Sequence, residues 1–233
     1  MSAPGFLHNM FSSLPRRYDL LNRLMTWGQD QRWRRKAAAE CLKERPRWVL
    51  DLGCGTGDLA IQLSRRGGPG TRVLGLDFSL PMLEAARAKA RRAKVEIALI
   101  RANVAHLPLR PGLLDATGSS FALRNLTYRN PGAHRHLSEA CKALRPGGRW
   151  VMVETSQPPG TLVRWGFHSY LHLVPRLGGL VSANRGAYCY LASSVLGFFP
   201  AEEVSRMLLE AGFQKVTFRR FLWGAIAIHT AIR

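Results

Sequence analysis

The sequence predicts an α/β fold: a doubly wound, mostly parallel seven-stranded sheet with an antiparallel C-terminal hairpin and helical elements at the N-terminus and late in the chain. Three observations predict it. From Arg47 onward, short apolar runs alternate with segments of helical periodicity. The first of those runs ends in a glycine cluster that opens a helix. The last two runs are separated only by a tight turn around Trp223 and Gly224, too short for a parallel crossover.

Each element follows from local chemistry. Before Arg45 the chain reads as helical, with Tyr18, Leu21, Leu24 and Met25 on one apolar face. A second helix runs from Asp30, its expected N-cap, through Leu42, and Pro46 blocks its continuation. Trp48–Leu52 has the short apolar character of a buried parallel strand. The helix Asp58–Arg66 and the strand Arg72–Asp77 follow, and then Ser79 caps a helix that turns Met82, Leu83 and Ala86 inward. Val95–Ile100 and Leu114–Phe121 are the third and fourth strands, although Gly118 and its serine neighbours are poor strand formers. A helix from Gly132 to Leu144 is stopped by Pro146-Gly147-Gly148, and Arg149–Glu154 is the fifth strand. Residues 157–198 break the alternation with aromatic-rich helical pieces and read as an insertion. The helix Ala201–Ala211, capped by Gly212, precedes the closing strands Lys215–Phe221 and Ala225–Ile232. The expected organisation is one domain over 1–233, with 1–45 as a helical cap.

Composition narrows the class. With 233 residues and 46% hydrophobic content the chain can bury a full core. Phe6-Leu7 and Met10-Phe11 are too short for a secretory apolar core, and no window reaches the ~18 apolar residues of a membrane span. Cys41, Cys54, Cys141 and Cys189 are widely spaced, which disfavours a disulfide framework and fits a reducing cytoplasm. His168 and His172 stand at i, i+4 without the glutamate of an HExxH site, so no metal is expected. Thirty-four Lys and Arg against 15 Asp and Glu give a net charge of +19, a field that attracts nucleic acid, anionic lipid or an acidic partner. Arginine-rich genome composition produces the same figure, so charge alone assigns no function. The basic run Ala86–Lys94 reads as a solvated helix face that an anionic membrane would also attract.

The chemistry is signalled at Asp51-Leu52-Gly53-Cys54-Gly55-Thr56-Gly57. Glycine lets the backbone turn sharply and approach a ligand without a Cβ in the way. Asp77, at the tip of the second strand and 26 residues beyond Asp51, can accept hydrogen bonds from both hydroxyls of a ribose. Both elements lie at the carboxyl ends of strands, where open α/β sheets bind ligands. A dinucleotide fingerprint would need glycine where Asp58 stands. The G-x-G-x-G spacing, preceded by an aspartate, resembles motif I of class I S-adenosylmethionine-dependent methyltransferases. The segment Ala102-Asn103-Val104-Ala105-His106-Leu107-Pro108 resembles the part of those enzymes that holds the adenine. The resemblance implies S-adenosylmethionine as cofactor. Its contacts would come from Asp51, Gly53, Gly55, Thr56, Gly57, Asp77, Phe78, Asn103, Val104 and Ser120.

Further motifs are more selective. Tyr18-Asp19-Leu20-Leu21-Asn22 with Asp30-Gln31-Arg32-Trp33 resembles the N-terminal signature of the UbiE/MenG family of quinone-biosynthesis C-methyltransferases. Leu144-Arg145-Pro146-Gly147-Gly148-Arg149, continuing through Glu154 and Ser156, is similar to its second signature. Ser120-Phe121-Ala122-Leu123-Arg124-Asn125 and Tyr190-Leu191-Ala192-Ser193-Ser194 before Phe199-Pro200 match further family segments. The chain departs from the family at Val104, Ala105, Ala122, Ala192 and Ser193, the last pair within the insertion expected to cover the substrate.

This resemblance implies methyl transfer to a ring carbon of a polyprenylated hydroquinone, in menaquinone or ubiquinone biosynthesis. It makes Arg124 and Asn125 candidates for stabilising the phenolate, and Tyr18 a candidate for contacting cofactor or ring. The expected partner is a lipid-tailed quinol, and the expected location is the cytoplasm or the inner face of the membrane. Contact with anionic membrane and a homodimer are left open. Other small-molecule substrates and RNA are the alternatives. Nucleic acid is disfavoured because amino-methylating RNA enzymes carry an N/D-P-P-Y/F motif after the fourth strand, where this chain reads Ser-Phe-Ala-Leu-Arg-Asn. Pro158-Pro159 comes only after the fifth strand.

Overall fold

The computed structural model describes residues 23, 26, 28–181 and 185–233. Tyr18, and with it the apolar face Tyr18, Leu21, Leu24 and Met25, lies outside the described residues. The described chain runs α1 (Asp30–Cys41), β1 (Trp48–Leu52), α2 (Asp58–Arg66), β2 (Arg72–Asp77), α3 (Leu80–Ala93), β3 (Ala98–Arg101) and β4 (Leu114–Ser120). There follow α4 (Leu123–Thr127), α5 (Ala133–Ala143), β5 (Leu144–Thr155), α6 (Thr161–Val181), α7 (Arg185–Leu196), α8 (Ala201–Glu210), β6 (Lys215–Phe221) and β7 (Ile226–Ile232).

The strands form one sheet in the order β3-β2-β1-β4-β5-β7-β6. β1 to β5 pair in parallel, and β7 enters antiparallel between β5 and β6. The expected doubly wound sheet with an antiparallel ending is therefore present. Alternation along the strands divides the core in two. Val49, Val73, Ala116, Val151 and Ile228 face α1 and α2, where Trp33, Ala37, Ala38, Leu59 and Leu63 meet them. Leu50, Leu74, Trp150 and Met152 face Leu137 of α5 and Val204 and Leu208 of α8. The order reverses between β1 and β4, which opens a crevice at their carboxyl ends.

Several elements differ from expectation for local reasons. Asp30 is not the N-cap of α1; Gln29 is, and the Asp30 carboxylate pairs one turn on with Arg34. Ser79 occupies the cap position of α3 without a side-chain cap bond, and its buried Oγ has no partner. β3 begins at Ala98 rather than Val95 because Lys94 ends α3 in a left-handed conformation. β5 starts at Leu144 and absorbs Pro146-Gly147-Gly148 as a bulge, its register shifting between the pairs Leu114–Leu144 and Ala116–Arg149. Gly118 is in mid-strand because a Cβ there would stand 3.1 Å from Leu59 Cδ2 and 3.3 Å from Cys41 Sγ, so its smallness admits both helices. The region 157–198 contains the two helices α6 and α7.

The sheet also encloses a titratable group. His229 of β7 is buried, and its Nε2 lies 3.1 Å from the Ala201 carbonyl oxygen while Nδ1 has no partner. Burial pushes its imidazole down from 6.5 to about 4. Between those values His229 binds a proton in the unfolded chain that it does not bind in the folded one, so the contribution of this group is complete above about pH 6.5 and is lost as pH drops towards 4. The loss amounts to roughly 3 kcal/mol. Asp51, raised to about 7, works in the opposite direction over the same range, so the comparison is made against His229→Gln: the stability of the wild type relative to this variant, from urea unfolding, should be roughly 2–3 kcal/mol greater at pH 7 than at pH 4.5.

Candidate active site

The crevice is built from the carboxyl tips of β1, β2, β4 and β5. After β1 the backbone passes through Gly53, Gly55 and Gly57, all at positive φ (68°, 51° and 82°). Gly53 is closely covered, since a Cβ there would lie 2.7 Å from Ala122 Cβ. Gly55 faces open space, with nothing within 4 Å of where its Cβ would be. The turn is pinned from beneath by Asp77, whose Oδ2 accepts from Gly55 N at 2.9 Å and whose Oδ1 accepts from Ser79 N at 2.9 Å. Asp51 accepts from Ala60 N through Oδ2 at 2.8 Å, while its buried Oδ1 has no partner. Phe78 is exposed beside Asp77, and Val104 is buried below the mouth. Asn103 is exposed, and its Oδ1 caps the short turn Val104–His106 by accepting from Ala105 N.

Burial raises both carboxyls, and for Asp51 it outweighs the opposing pull of the Arg34 guanidinium. Asp51 is pushed up to about 7, and Asp77 is raised despite its backbone donors. Asp58, at the start of α2, behaves oppositely: burial works to raise it, but the Lys89 ammonium and the Arg34 guanidinium hold it below the ordinary value. S-adenosylmethionine fits this donor set. It brings a sulfonium and an ammonium to a site with two carboxyls poorly compensated as anions, and the Gly55 surface offers a cradle that a Cβ would fill.

A second network seats the turn. Arg34 of α1 is buried, pairs with Asp30, stands 3.8 Å from Asp58 Oδ2 and donates through Nε to Ser120 Oγ at 3.1 Å. Gln31 donates to Asp58 Oδ2 at 3.1 Å. Lys89 donates to Asp58 Oδ1 at 2.5 Å and to Thr56 Oγ1 at 2.9 Å. Lys89 is thus drawn into the site, whereas the neighbouring Arg87, Arg91 and Arg92 are exposed as expected of a solvated face. Arg34 also lies over the Phe121 ring, 5.4 Å from its centroid, and Trp33 meets the same ring edge-on at 6.4 Å. Phe121 carries a positive φ of 56°, and this turn delivers the chain into α4.

Arg124 and Asn125 open α4 at the tip of β4. Arg124 is neither solvated nor free to swing. Its backbone N donates to Glu154 Oε2 at 3.0 Å, and Nη1 donates to Glu154 Oε1 at 3.1 Å and to Thr155 Oγ1 at 3.3 Å. Glu154 is fully buried, and Arg124 Nε is buried without a partner. Asn125 Oδ1 accepts from Tyr190 of α7 at 3.3 Å. Gln157, just past β5, donates to the carbonyls of Val195 and Leu196 and bonds His168 at 2.8 Å, which ties α6 and α7 to the sheet edge. Arg34, Lys89 and Gln157 were not singled out from the sequence as site residues. For Arg34 a signal existed, because Asp30 and Arg34 stand at helical i, i+4 spacing.

Two outcomes test this geometry. Gly55→Ala should fold, at a cost of ~1–2 kcal/mol for a left-handed alanine, yet lose cofactor affinity in calorimetry, whereas Gly53→Ala should lose the fold as well. Asp51 must be ionised to meet a cation, so the cofactor dissociation constant should fall about tenfold per unit as pH rises from 5 to 7 and then level off. Asp51→Asn should remove that slope.

Comparison with known proteins agrees with the geometry. Residues 3–233 match the model of the ubiE/COQ5 methyltransferase family. The chain is 41% identical over 225 residues to the demethylmenaquinone methyltransferase of Thermus thermophilus, covering 96% of this chain and 100% of that protein. It is 40% identical to the demethylmenaquinone methyltransferase of Deinococcus radiodurans, over 94% of this chain and 88% of that protein. A Desulfotalea psychrophila protein named ubiquinone/menaquinone biosynthesis C-methyltransferase UbiE is 36% identical, with 99% and 91% covered. Among solved structures, an O-methyltransferase family protein from Burkholderia thailandensis superposes with a TM-score of 0.69 at 18% identity, over 96% of this chain and 61% of that one. That likeness concerns the fold alone. A family model matched over nearly the whole length, together with these relatives, places the chain in the ubiE/COQ5 methyltransferase family.

Proposed function

We propose that this chain transfers the methyl group of S-adenosylmethionine to a ring carbon of a demethylated polyprenyl hydroquinone, with demethylmenaquinol as the favoured substrate. The observation that carries the reading is Arg124, a guanidinium buried against Glu154 at the tip of β4 with its Nε unpartnered. The relatives at 41% and 40% identity bear the demethylmenaquinone name, which favours the naphthoquinol over the benzoquinol.

S-adenosylmethionine, when bound, supplies an electrophilic methyl carbon on a positively charged sulfur. The protein's task is to make a ring carbon nucleophilic and hold it in line. A phenol does this on losing its proton, when electron density moves from oxygen into the ring. Arg124 is permanently protonated and therefore acts as a fixed positive charge that stabilises the phenolate, not as a base. Glu154 fixes the orientation of that charge with Nη1 and the Arg124 backbone N–H. Asn125 has its carbonyl oxygen engaged by Tyr190, so its amide NH2 is the end available to donate to the same oxyanion. As the new C–C bond forms the S–CH3 bond breaks, leaving a neutral thioether, and the ring proton at the methylated carbon then passes to water so that aromaticity returns. The helices α6 and α7 cover the ring in this reading, since α7 reaches Asn125 and Gln157 holds both helices to the sheet edge. Tyr18 is assigned to the same cover from the family signature alone.

Methyl transfer from labelled S-adenosylmethionine to demethylmenaquinol, a demethylated ubiquinol precursor and bulk RNA, run in parallel, tests the assignment. Label is expected in the quinols and strongest in demethylmenaquinol; label in RNA alone overturns it. Arg124→Lys keeps a cation near Glu154 but not the planar fork, and should lower kcat by on the order of 10²-fold with cofactor affinity retained.

A further inference from the structure

The hairpin between β6 and β7 turns through Leu222, Trp223 and Gly224, all at positive φ (48°, 52° and 100°). Asn, Asp and Gly are the usual occupants of such positions, because a Cβ makes left-handed backbone costly. Here Leu and Trp hold it, and the core does not compensate: Trp223 is 80% exposed, and Leu222 is exposed too. Backbone strain kept in order to display an indole in water points to a use for that indole.

The tip is not isolated. A Cβ on Gly224 would lie 2.7 Å from Pro159 Cδ, so the turn sits on Pro158 and Pro159, which lead into α6. The first turns of α6 expose Leu162 (80%), Val163 and Trp165 (70%). Two tryptophans and three aliphatic side chains therefore share one outer region. Basic groups rim it. Arg164 is exposed among the apolar side chains of α6, Arg219 and Arg220 precede the tip, and Lys36 Nζ lies 5.3 Å from the centroid of Phe221. Arg220 pairs with Glu202, an acidic group on the rim. The register places this region functionally. Ile226 pairs with both Phe221 and Thr155, so the tip projects just beyond Glu154 and Thr155, on the carboxyl edge that carries the crevice.

We propose that Leu222, Trp223, Leu162, Val163 and Trp165 form a docking face for an anionic phospholipid surface, which seats the mouth of the crevice on a bilayer. Exposed indoles and aliphatic side chains rimmed by arginine and lysine match the apolar boundary and anionic head groups of such a surface. The net charge of +19 complements it. Among the described residues no helix is long and apolar enough to cross a membrane, so this contact is peripheral. The purpose of the docking, though not the binding itself, rests on the quinol reading: a long polyprenyl tail resides in the bilayer, and its ring must be met at the head-group level.

Co-sedimentation of the full chain with vesicles of phosphatidylglycerol and phosphatidylcholine, and with phosphatidylcholine alone, tests the face. The wild type should bind the anionic vesicles at least about tenfold more tightly than the neutral ones. Trp165→Ala with Trp223→Ala should lose on the order of tenfold affinity per tryptophan. Leu209→Ala removes an exposed leucine at the far end of α8 from Glu202 and should bind like wild type. Cofactor affinity, measured in each variant, confirms that the fold is intact. Unchanged vesicle binding in the double variant, or no preference for anionic lipid, overturns the proposal. So does self-association in ultracentrifugation that the double variant abolishes while neither protein binds vesicles, since a second copy would then cover the face. Methylation of the quinol in detergent is read separately: its failure with vesicle binding intact removes the substrate assignment and leaves the docking face standing.

Discussion

A guanidinium buried against a carboxylate, Arg124 on Glu154, is the constraint on which the site depends. Removing both charges from water costs several kcal/mol per ion, so such a pair persists only with excellent geometry and further hydrogen bonds. Glu154 has them: Arg124 donates from its backbone and from Nη1, and Thr155 adds its own N–H and hydroxyl. The pair joins the tips of β4 and β5, adjacent parallel strands in register through Ser120 and Val153. It thereby fixes where α4 begins and, in the proposed mechanism, where a positive charge meets the ring. A hydrophobic pair of equal volume would hold the strands equally well. A charge kept there at such cost is consistent with a charge that is used.

The cofactor side repeats the arrangement with a larger network. Arg34 reaches from α1 to Asp30, Asp58 and Ser120, and Lys89 reaches from α3 to Asp58 and Thr56. The helix before the first strand is thus tied to the glycine turn, to the start of α2 and to the end of β4. Asp51 and Asp77 form no ion pair with these cations, and burial raises both even though Arg34 opposes it at Asp51. The ion pairs go to Asp58, at the start of α2, and in the proposed reading the two raised carboxyls meet the cationic cofactor. Ala122, one of the departures from the family pattern, packs its Cβ against Gly53 and is accommodated within this turn.

The fold was legible in the sequence where one physical signal dominated. β1, β2 and β6 begin and end where their apolar runs or turn residues said they would. The glycine spacing and Asp77 located the crevice. What was not legible depended on distance or brevity. α4 has five residues, shorter than any window in which periodicity can be read. Pro146-Gly147-Gly148 marked a break, but only strand pairing reveals it as a bulge inside β5. The Arg34–Ser120 bond joins positions 86 apart, and nothing in composition links them. Lys89 sits in a run of basic residues that reads uniformly as solvated, and only the approach of α3 to the turn singles it out. Arg124 was selected as a residue; its burial on Glu154 became visible only once β5 was placed beside β4.

In the proposed mechanism Arg124, fixed by Glu154, stabilises the phenolate of a bound hydroquinone. The most direct measurement is the ultraviolet titration of a hydroquinone analogue, already methylated at the reacting carbon, bound together with S-adenosylhomocysteine. The bound phenol should ionise at least about one pH unit below the free phenol, a shift worth ~1.4 kcal/mol, and Arg124→Lys should reduce this shift. A bound phenol that ionises at the same pH as the free one, or a shift indifferent to Arg124, would contradict it.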